Sequence, residues 1–295
     1  LARLANTVAI FNAVDTIVDD GKRPDSQFLG DGGVFARRPV TFSETDLGYG
    51  GTQTSMSVSC EFGHFHVDAK RGQVIQVQSG GKGIQEISAF AGDKPSGMRN
   101  WFKEHLPFKI LKAPIAGIEN IDTDNAYNGI GIVMGWDSRF RRIFITKKDY
   151  VVKDNTLTFE NGKFYKEEVE VQLTNPTYFT EASWTIAYSP IQQSWMSFYD
   201  FKPNYYINHN DYFQTGINQT NDETELGLWA HLLTNKSYQV YYGKRYPFIL
   251  EYQMKRSANN IYLHTVAYKM DILRYHNEYD FAEVEGGFDK LWISS

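Results

Sequence analysis

The sequence predicts a mostly all-β fold, in which repeated antiparallel hairpins form a β-propeller-like arrangement of blades with one short helical insertion. Three observations favour this class. Tyr, Phe and Trp make up 15% of the 295 residues, and aromatic residues favour strands. Runs of alternating apolar and polar residues recur along the chain, as half-buried strands require. Four of these runs turn at a corner and return with one fixed offset, so a single hairpin pattern is repeated.

The repeat is defined by its corners and by the residues that flank them. The four hairpins run from Asp68 to Val74, Asp137 to Ile143, Ser189 to Trp195 and Thr234 to Val240. Large residues recur three positions before each corner and seven after it: Phe65, Met134, Ile186 and His231, then Ile75, Phe144, Met196 and Tyr241. A hairpin alone cannot bury its apolar face, so the pattern predicts that the hairpins stack into a larger β structure.

Corner spacing indicates how the repeats are arranged. The later corners are 52 and 45 residues apart, close to the roughly 40 to 50 residues of a four-stranded propeller blade. The first two corners are 69 residues apart, which predicts an insertion at about 80–128. Within it, residues 96–106 predict a helix with Ser96 as the N-cap and Pro107 as the stop. A sandwich or a solenoid could produce similar strands, so these alternatives stay open.

One strand carries a more specific prediction. Between Gly129 and Trp136, large residues alternate with small ones. A face of small residues lets a neighbouring sheet approach closely, as face-to-face packing of blades requires.

Domain organisation is interpreted from the same pattern. Residues 1–47 are rich in Gly and Asp and form a poorly readable N-terminal segment, whereas residues 48–295 form the β-propeller-like domain. The chain begins at Leu1 and ends on a strand-like run, which we interpret as a fragment of a longer protein. Since no apolar stretch reaches the roughly 18 residues of a membrane span, none is predicted.

Charge and cysteine content narrow the function classes. The net charge of -5 argues against sequence recognition of nucleic acid as the main role, because that requires concentrated Lys and Arg. Cys60 is the one cysteine, so an internal disulfide framework and thiolate metal clusters are excluded. No cofactor is expected.

Several groups of polar residues could be catalytic or metal-binding, but each also has a structural explanation. His64, His66 and Asp68 would share one face of a strand and are weak metal-ligand candidates for a hydrolytic site, but the repeat explains the same positions as parts of a hairpin. Carboxylate pairs that a glycosidase would need, and an arginine group that a sialidase would add, are better explained as a solvated surface. These are Asp122 with Asp124, Glu167 with Glu168, Asp222 with Glu223, and Arg139, Arg141 and Arg142. No catalytic residue is assigned, and an enzyme is not expected.

The densest aromatic segment lies at 198–213. Its alternating aromatic and amide residues could form an interface with another protein, bind sugars, or fill the space between sheets. The interface candidates are Tyr199, Phe201, Tyr205, Tyr206, Tyr212 and Phe213.

Several strings resemble the tail stabilisation, or muzzle, proteins of crAss-like bacteriophages, over roughly residues 30–295. The strings are Gly48-Tyr49-Gly50-Gly51-Thr52-Gln53, Val67-Asp68-Ala69-Lys70-Arg71-Gly72-Gln73-Val74, Gly97-Met98-Arg99-Asn100-Trp101-Phe102, Arg142-Ile143-Phe144-Ile145-Thr146-Lys147-Lys148-Asp149-Tyr150, Trp184-Thr185-Ile186-Ala187-Tyr188-Ser189-Pro190 and Trp195-Met196-Ser197-Phe198-Tyr199. Together, in this order, they are more specific than any one of them.

The resemblance implies a structural component of a virion tail, assembled in the bacterial host cytoplasm. Its expected partners are other virion tail proteins and copies of itself in a symmetric ring. The alternative function is a carbohydrate-binding or glycan-cleaving β-propeller that attaches to a host-surface glycan.

Overall fold

The architecture is taken from a computed structural model of the chain. It describes residues 57–78, 83–208, 212–220, 222–231 and 240–251, together with the backbone pairing of residues 2–3, 8–10, 40–41, 273–277 and 280–283. The strands are β1 (Ala2–Arg3), β2 (Val8–Ile10), β3 (Val40–Thr41), β4 (Ser57–Cys60), β5 (Gly63–Asp68), β6 (Gln73–Gln78), β7 (Ile84–Glu86), β8 (Phe90–Ala91), β9 (Lys94–Pro95), β10 (Gly131–Asp137), β11 (Arg142–Lys148), β12 (Tyr150–Val152), β13 (Thr158–Glu160), β14 (Lys163–Lys166), β15 (Val169–Val171), β16 (Phe179–Glu181), β17 (Trp184–Ser189), β18 (Ser194–Tyr199), β19 (Tyr205–Asn208), β20 (Phe213–Ile217), β21 (Gly227–His231), β22 (Val240–Tyr241), β23 (Lys244–Arg245), β24 (Leu273–Asn277) and β25 (Asp280–Glu283). The α-helix is α1 (Arg99–His105), and 3-10 turns occupy Ile110–Lys112, Ile118–Asn120, Ala126–Asn128 and Glu223–Glu225.

The main sheets follow one another along the chain. The first sheet has the order β4-β5-β6-β7, the second β10-β11-β17-β18 and the third β19-β20-β21. The ladders whose registers are defined within them are all antiparallel. The prediction of a mostly antiparallel β fold is therefore confirmed, while the described residues form no closed barrel or ring of blades.

The first three predicted hairpins are built alike at their corners. In each, the corner side chain accepts a hydrogen bond from the backbone N–H three residues later, which satisfies a turn amide. The bonds are Arg71 N–H to Asp68 Oδ1 (3.1 Å), Phe140 N–H to Asp137 Oδ1 (3.3 Å) and Gln192 N–H to Ser189 Oγ (3.2 Å). One residue further, Gly72, Arg141 and Gln193 each have positive φ. Different corner residues thus form the same turn.

The repeated large residues lie where the pattern predicts a core. Phe65, Met134, Ile186 and His231, three residues before the corners, are all buried. Seven residues after the corners, Ile75, Phe144 and Tyr241 are also buried, but Met196 is 45% exposed. A register shift places Met196 as an extra residue between the pairs Ala187–Ser197 and Tyr188–Trp195. This bulge turns the side chain away from the core.

Hairpins two and three share one sheet. Strand β11 pairs with β17 from Ile143–Tyr188 to Lys147–Trp184, so the corners Asp137 and Ser189 belong to the same sheet. The chain between them leaves the sheet as β12 to β16 and returns. The 52-residue spacing therefore does not correspond to two separate blades. Strands β11 and β17, which have apolar residues on both faces, pair directly with each other and place both hairpins in one sheet.

The second sheet packs against a neighbour on each face. On one face, the rings of Phe65 and Tyr188 lie 6.3 Å apart and join the first and second sheets in one core. On the other face, Phe144 contacts Phe213 of the third sheet, with ring centroids 4.7 Å apart. A Cβ added to Gly135 would overlap the ring of Tyr206, also in the third sheet. The predicted face of small residues is thus where a neighbouring sheet approaches.

A turn at 61–62 separates β4 from β5. One local prediction, the N-cap of the helix, needs correction. The predicted N-cap, Ser96, lies two residues before the observed one, Met98. The Ser96 hydroxyl instead donates to the Ser88 carbonyl (2.6 Å) and accepts from the Met98 N–H (3.1 Å), so it shapes the approach to the helix.

The chain divides into two compact units, residues 1–230 and 231–295. The predicted boundary near residue 47 and the fourth corner, Thr234, lie outside the described residues. In the second unit, β22 pairs with β23 and β24 with β25, both antiparallel. In the part of the chain that the structure describes, no helix has the length and apolar character needed to cross a membrane.

His231 predicts a pH dependence for the second unit. Its ring is buried beside those of Tyr241 and Tyr242, and burial lowers the pKa of His231 from 6.5 to about 4. Between pH 4 and pH 6.5 the unfolded chain therefore binds a proton at His231 that the folded chain does not. The contribution of the neutral, buried His231 to the free energy of unfolding is present in full above pH 6.5, and it falls by about 3 kcal/mol as the pH decreases to 4. Hydrogen exchange of β22 and β23 measures this loss. A His231→Phe variant should lack it, and an unchanged profile in that variant would assign the effect to other groups.

Candidate functional site

A buried ion pair joins the second sheet to the insertion. Lys147 on β11 and Asp149 just after it both have fully buried side chains, and Lys147 Nζ donates to Asp149 Oδ2 at 2.7 Å. The same ammonium donates to the carbonyls of His105 (2.8 Å) and Pro107 (2.9 Å) at the end of α1. All three ammonium protons therefore have acceptors, which offsets the cost of burying the charge.

Asp149 completes this centre through backbone bonds. Its carboxylate accepts from the N–H groups of Lys109 (2.7 Å), Ile110 (3.2 Å) and Tyr150 (2.9 Å). Burial lowers the pKa of Lys147 below its ordinary value, and the neighbouring Asp149 charge opposes that shift. We refer to Lys147, Asp149 and the backbone of residues 105–110 as the anchor, because they fix the insertion to the sheet.

The next lysine forms a looser group on the opposite face of β11. Lys148 Nζ lies 3.4 Å from the Lys202 carbonyl and 3.8 Å from Glu181 Oε1, and burial lowers the pKa of Lys148. Lys202 Nζ donates to Glu181 Oε2 at 3.0 Å. Burial alone would raise the pKa of Glu181, but the charges of Lys148 and Lys202 more than offset this, so it lies below its ordinary value. Successive lysines thus hold the chain on both faces of one strand.

The anchor has the geometry of a structural element. Neither side chain of its ion pair has exposed surface, so neither can meet a substrate from solvent. Every donor and acceptor described above is directed at another part of the same chain. The arrangement holds α1 and the following loop on the sheet, and this mechanical role is what its geometry can perform.

The predicted metal candidates lie along β5 without forming a cluster. The rings of His64 and His66 are 5.6 Å apart, and His64 Nδ1 is 2.9 Å from the Ser59 hydroxyl. The Asp68 carboxylate serves the corner instead, pairing with the Arg71 guanidinium at 3.2 Å. Among the described residues, no group of three or more His, Cys, Asp or Glu side chains is placed to hold a metal ion.

The arginine group is less solvated than the sequence interpretation allowed. The Arg142 side chain is 12% exposed and pairs with the buried Asp137 at 2.9 Å. Its guanidinium also lies 4.8 Å from the ring centroid of Phe144, a cation–π distance. Arg141 pairs with Glu61 at 2.6 Å and so links the second sheet to the first. Arg141 thus connects two sheets, while Arg142 joins β10 to β11 within one sheet, and the turn-like sequence around them did not indicate either role.

The candidate carboxylate pairs lie apart in surface turns. Asp122 accepts from the Asp124 N–H at 2.9 Å, and Asp222 caps a 3-10 turn by accepting from the Thr224 N–H at 3.1 Å. Glu167 and Glu168 form the exposed turn between β14 and β15, both with positive φ. These local bonds explain why carboxylates occur at such turns.

The aromatic interface candidates divide by exposure. Phe201 and Phe213 are buried, and the rings of Tyr199 and Tyr206 lie 5.0 and 6.3 Å from that of Phe144. These four side chains therefore pack between the second and third sheets. Tyr205 is half-buried against Tyr127, with ring centroids 5.8 Å apart, whereas Tyr212 is 48% exposed.

The sequence patterns that indicate candidate sites do not include the anchor. Lys147 and Asp149 stand in the string at 142–150, and neither is among the predicted site residues. A signal was present, since a lysine and an aspartate two positions apart at the end of an apolar strand share a face. Their burial depends on residues 105–110, about 40 positions earlier, which no local pattern identifies.

A shallow cleft lies at the edge of the first sheet. It has a volume of about 480 Å³ and is lined by Gln78, Gln85, Phe90 and Asp93 with neighbouring backbone. Phe90 is 41% exposed, so the cleft combines an aromatic ring with amide and carboxylate groups. This is the kind of surface on which a sugar could stack and form hydrogen bonds.

Comparisons of the chain with protein-family models, with curated proteins and with solved structures found no match.

Proposed function

We propose that the chain is a structural component of a phage virion tail, a rigid β-propeller-like scaffold that assembles with neighbouring tail subunits. The observation that carries the proposal is the stacking of three consecutive antiparallel sheets, with the second sheet covered on both faces. Propeller blades are four-stranded antiparallel sheets that pack face to face in chain order. The first and second sheets have this strand arrangement.

The distribution of ion pairs also supports a mechanical role. Arg141 with Glu61 joins two sheets, and the anchor joins the insertion to one of them. The strings at 142–150 and 184–190 that resemble muzzle proteins supply the central strands β11 and β17. The resemblance therefore lies in residues that the sheet and its anchor depend on, as expected where the scaffold itself is the function.

Immunogold labelling tests the proposal. An antibody raised against the full chain is applied to purified particles of a crAss-like phage whose genome encodes it. We expect gold on the tail of intact particles, and the chain in their mass spectrum at many copies per particle. Pre-immune serum is the control. The chain present in infected cells but missing from purified particles would contradict the proposal.

The cleft beside Phe90 favours one second candidate, a carbohydrate-binding function directed at host-surface glycan. Its aromatic ring and neighbouring side-chain amides supply the groups that sugar recognition uses. Retention of the chain on a glycan array, lost in a Phe90→Ala variant with unchanged melting temperature, would favour this candidate. Equal retention of both proteins would exclude the cleft as the binding site.

A further inference from the structure

Two Asn-Gly pairs occur in the sequence, Asn128-Gly129 and Asn161-Gly162. An Asn-Gly pair is prone to modify itself, because glycine has no side chain to shield its backbone nitrogen from the preceding carboxamide. That nitrogen can attack Cγ of the asparagine and close a succinimide ring. In a folded chain the attack depends on how accessible the glycine N–H is and on whether it is hydrogen-bonded.

The Asn161-Gly162 pair forms the loop between β13 and β14. Glu160 pairs with Lys163 on either side of it, and Asn161 and Gly162 have φ of 51° and 80°. Asn-Gly is preferred in such two-residue loops because both positions need positive φ. Both residues are exposed, and nothing lies within 4 Å of a Cβ added to Gly162. Among the described residues, no backbone carbonyl accepts from the Gly162 N–H. This pair is therefore open to reaction.

The Asn128-Gly129 pair has the same chemistry in a closed environment. Asn128 is exposed, but Gly129 is buried and its N–H donates to the Ala126 carbonyl at 3.1 Å. A Cβ added to Gly129 would overlap the Gln219 side chain and lie 3.1 Å from Leu173 Cδ1. Attack on Cγ requires this hydrogen bond to break and these side chains to move. The chain thus contains an open and a closed copy of one reactive pair.

We propose that Asn161 is a site of spontaneous modification, at which the chain converts its own asparagine to aspartate and isoaspartate. Hydroxide removes the proton of the Gly162 N–H, and the nitrogen forms a bond with Cγ of Asn161. The Cγ–Nδ2 bond breaks, and the leaving nitrogen takes a proton from water and departs as ammonia, which regenerates hydroxide. Water then opens the succinimide at either carbonyl. The net reaction consumes water, releases ammonia and involves no oxidation or reduction.

The isoaspartate product would alter the hairpin. It routes the backbone through the former side chain and lengthens the loop by one methylene, so Glu160 and Lys163 could not keep their register. The same hairpin places Phe159 and Phe164 in the core, with ring centroids 5.0 Å apart. We expect isoaspartate to weaken β13 and β14 before other strands. This inference does not depend on the proposed scaffold role.

Ageing of the full folded chain in mildly alkaline buffer tests the site. Peptide mass mapping follows the increase of about 1 Da that exchange of –NH2 for –OH produces, and isoaspartate-specific methylation identifies the product. We expect Asn161 to convert at least about tenfold faster than Asn128, because the closed pair must first open. Its rate should rise roughly tenfold per pH unit, as does the deprotonated fraction of a weak N–H acid. In urea-unfolded chain the two sites should convert at similar rates.

Asn161→Gly removes the carboxamide and keeps the loop, since Gly-Gly also forms two-residue loops with positive φ. It should retain the wild-type melting temperature and lose the fast release of ammonia. The same change at the closed pair, Asn128→Gly, should leave that release unchanged. After ageing, hydrogen exchange in β13 and β14 should rise in the wild type but not in Asn161→Gly.

The comparison of the two pairs within the wild type does not depend on either variant. Asn161 that stays intact in the folded chain, while it converts in urea, would overturn the proposal. Equal rates at both pairs in the folded chain would overturn it as well, because the open loop would then give no advantage.

Discussion

Replacement of Asp149 with alanine should lower the free energy of unfolding of the first unit by about 3–5 kcal/mol, because it leaves a buried charge without its partner. The Lys147 ammonium would lose a bond of 2.7 Å, and the N–H groups of Lys109, Ile110 and Tyr150 would lose their acceptor. Urea unfolding followed by tryptophan fluorescence measures the effect. Trp184 reports on the anchor directly, since its indole N–H donates to the His105 carbonyl at 3.4 Å.

The partner substitution separates the charge from the packing. Lys147→Met keeps an apolar stem of similar length, and Asp149 retains its three backbone donors. We expect a smaller loss than in Asp149→Ala, and a loss in the double variant that is less than the sum of the two. Asp93→Ala, at an exposed turn, should change stability by no more than about 0.5 kcal/mol. Additive losses would show that the two side chains do not act as a unit.

Phe144→Ala should cost about 3–5 kcal/mol by opening a cavity between the second and third sheets. The Phe144 side chain is fully buried, and the rings of Tyr199 and Phe213 lie 5.0 and 4.7 Å from it. Thermal and urea unfolding measure the loss. Hydrogen exchange should rise in β19 and β20, which the ring covers, more than in β5, which packs on the opposite face of the second sheet.

Phe140→Ala is the matched control for this cavity. Phe140 stands at the corner of the same hairpin and is 46% exposed, so its truncation leaves no closed cavity. We expect its cost to be less than about 1 kcal/mol. Similar losses in both variants would mean that Phe144 does not join the two sheets.

The hairpins could be predicted because their determinants are local. The side chains of Asp68, Asp137 and Ser189 each bond three residues ahead, and alternation sets which residues face inward. The face of small residues around Gly135 was predictable for the same reason, since small side chains on one face of a strand leave room for a neighbour. The prediction that Met196 faces the core was wrong, because a bulge in its ladder shifts the alternation by one residue.

The local sequence of each hairpin does not predict which other hairpin it pairs with. Strands with apolar residues on both faces are compatible with a neighbour at either edge, so the sequence left open that β11 pairs with β17 across 149–183. The anchor shows the same limit, because Lys147 is buried by carbonyls about 40 residues away. In the candidate interface segment, composition identified the aromatic residues but not that Phe201 is covered and Tyr212 is exposed.

Alternation and turn chemistry act over a few neighbouring residues, so they indicate a mostly antiparallel β chain made of repeated hairpins without knowledge of the fold. The packing of the folded chain sets which hairpins share a sheet, which charges are buried and which rings remain exposed. These outcomes depend on contacts between residues far apart in the chain, where many pairings satisfy the local pattern equally well and packing selects among them.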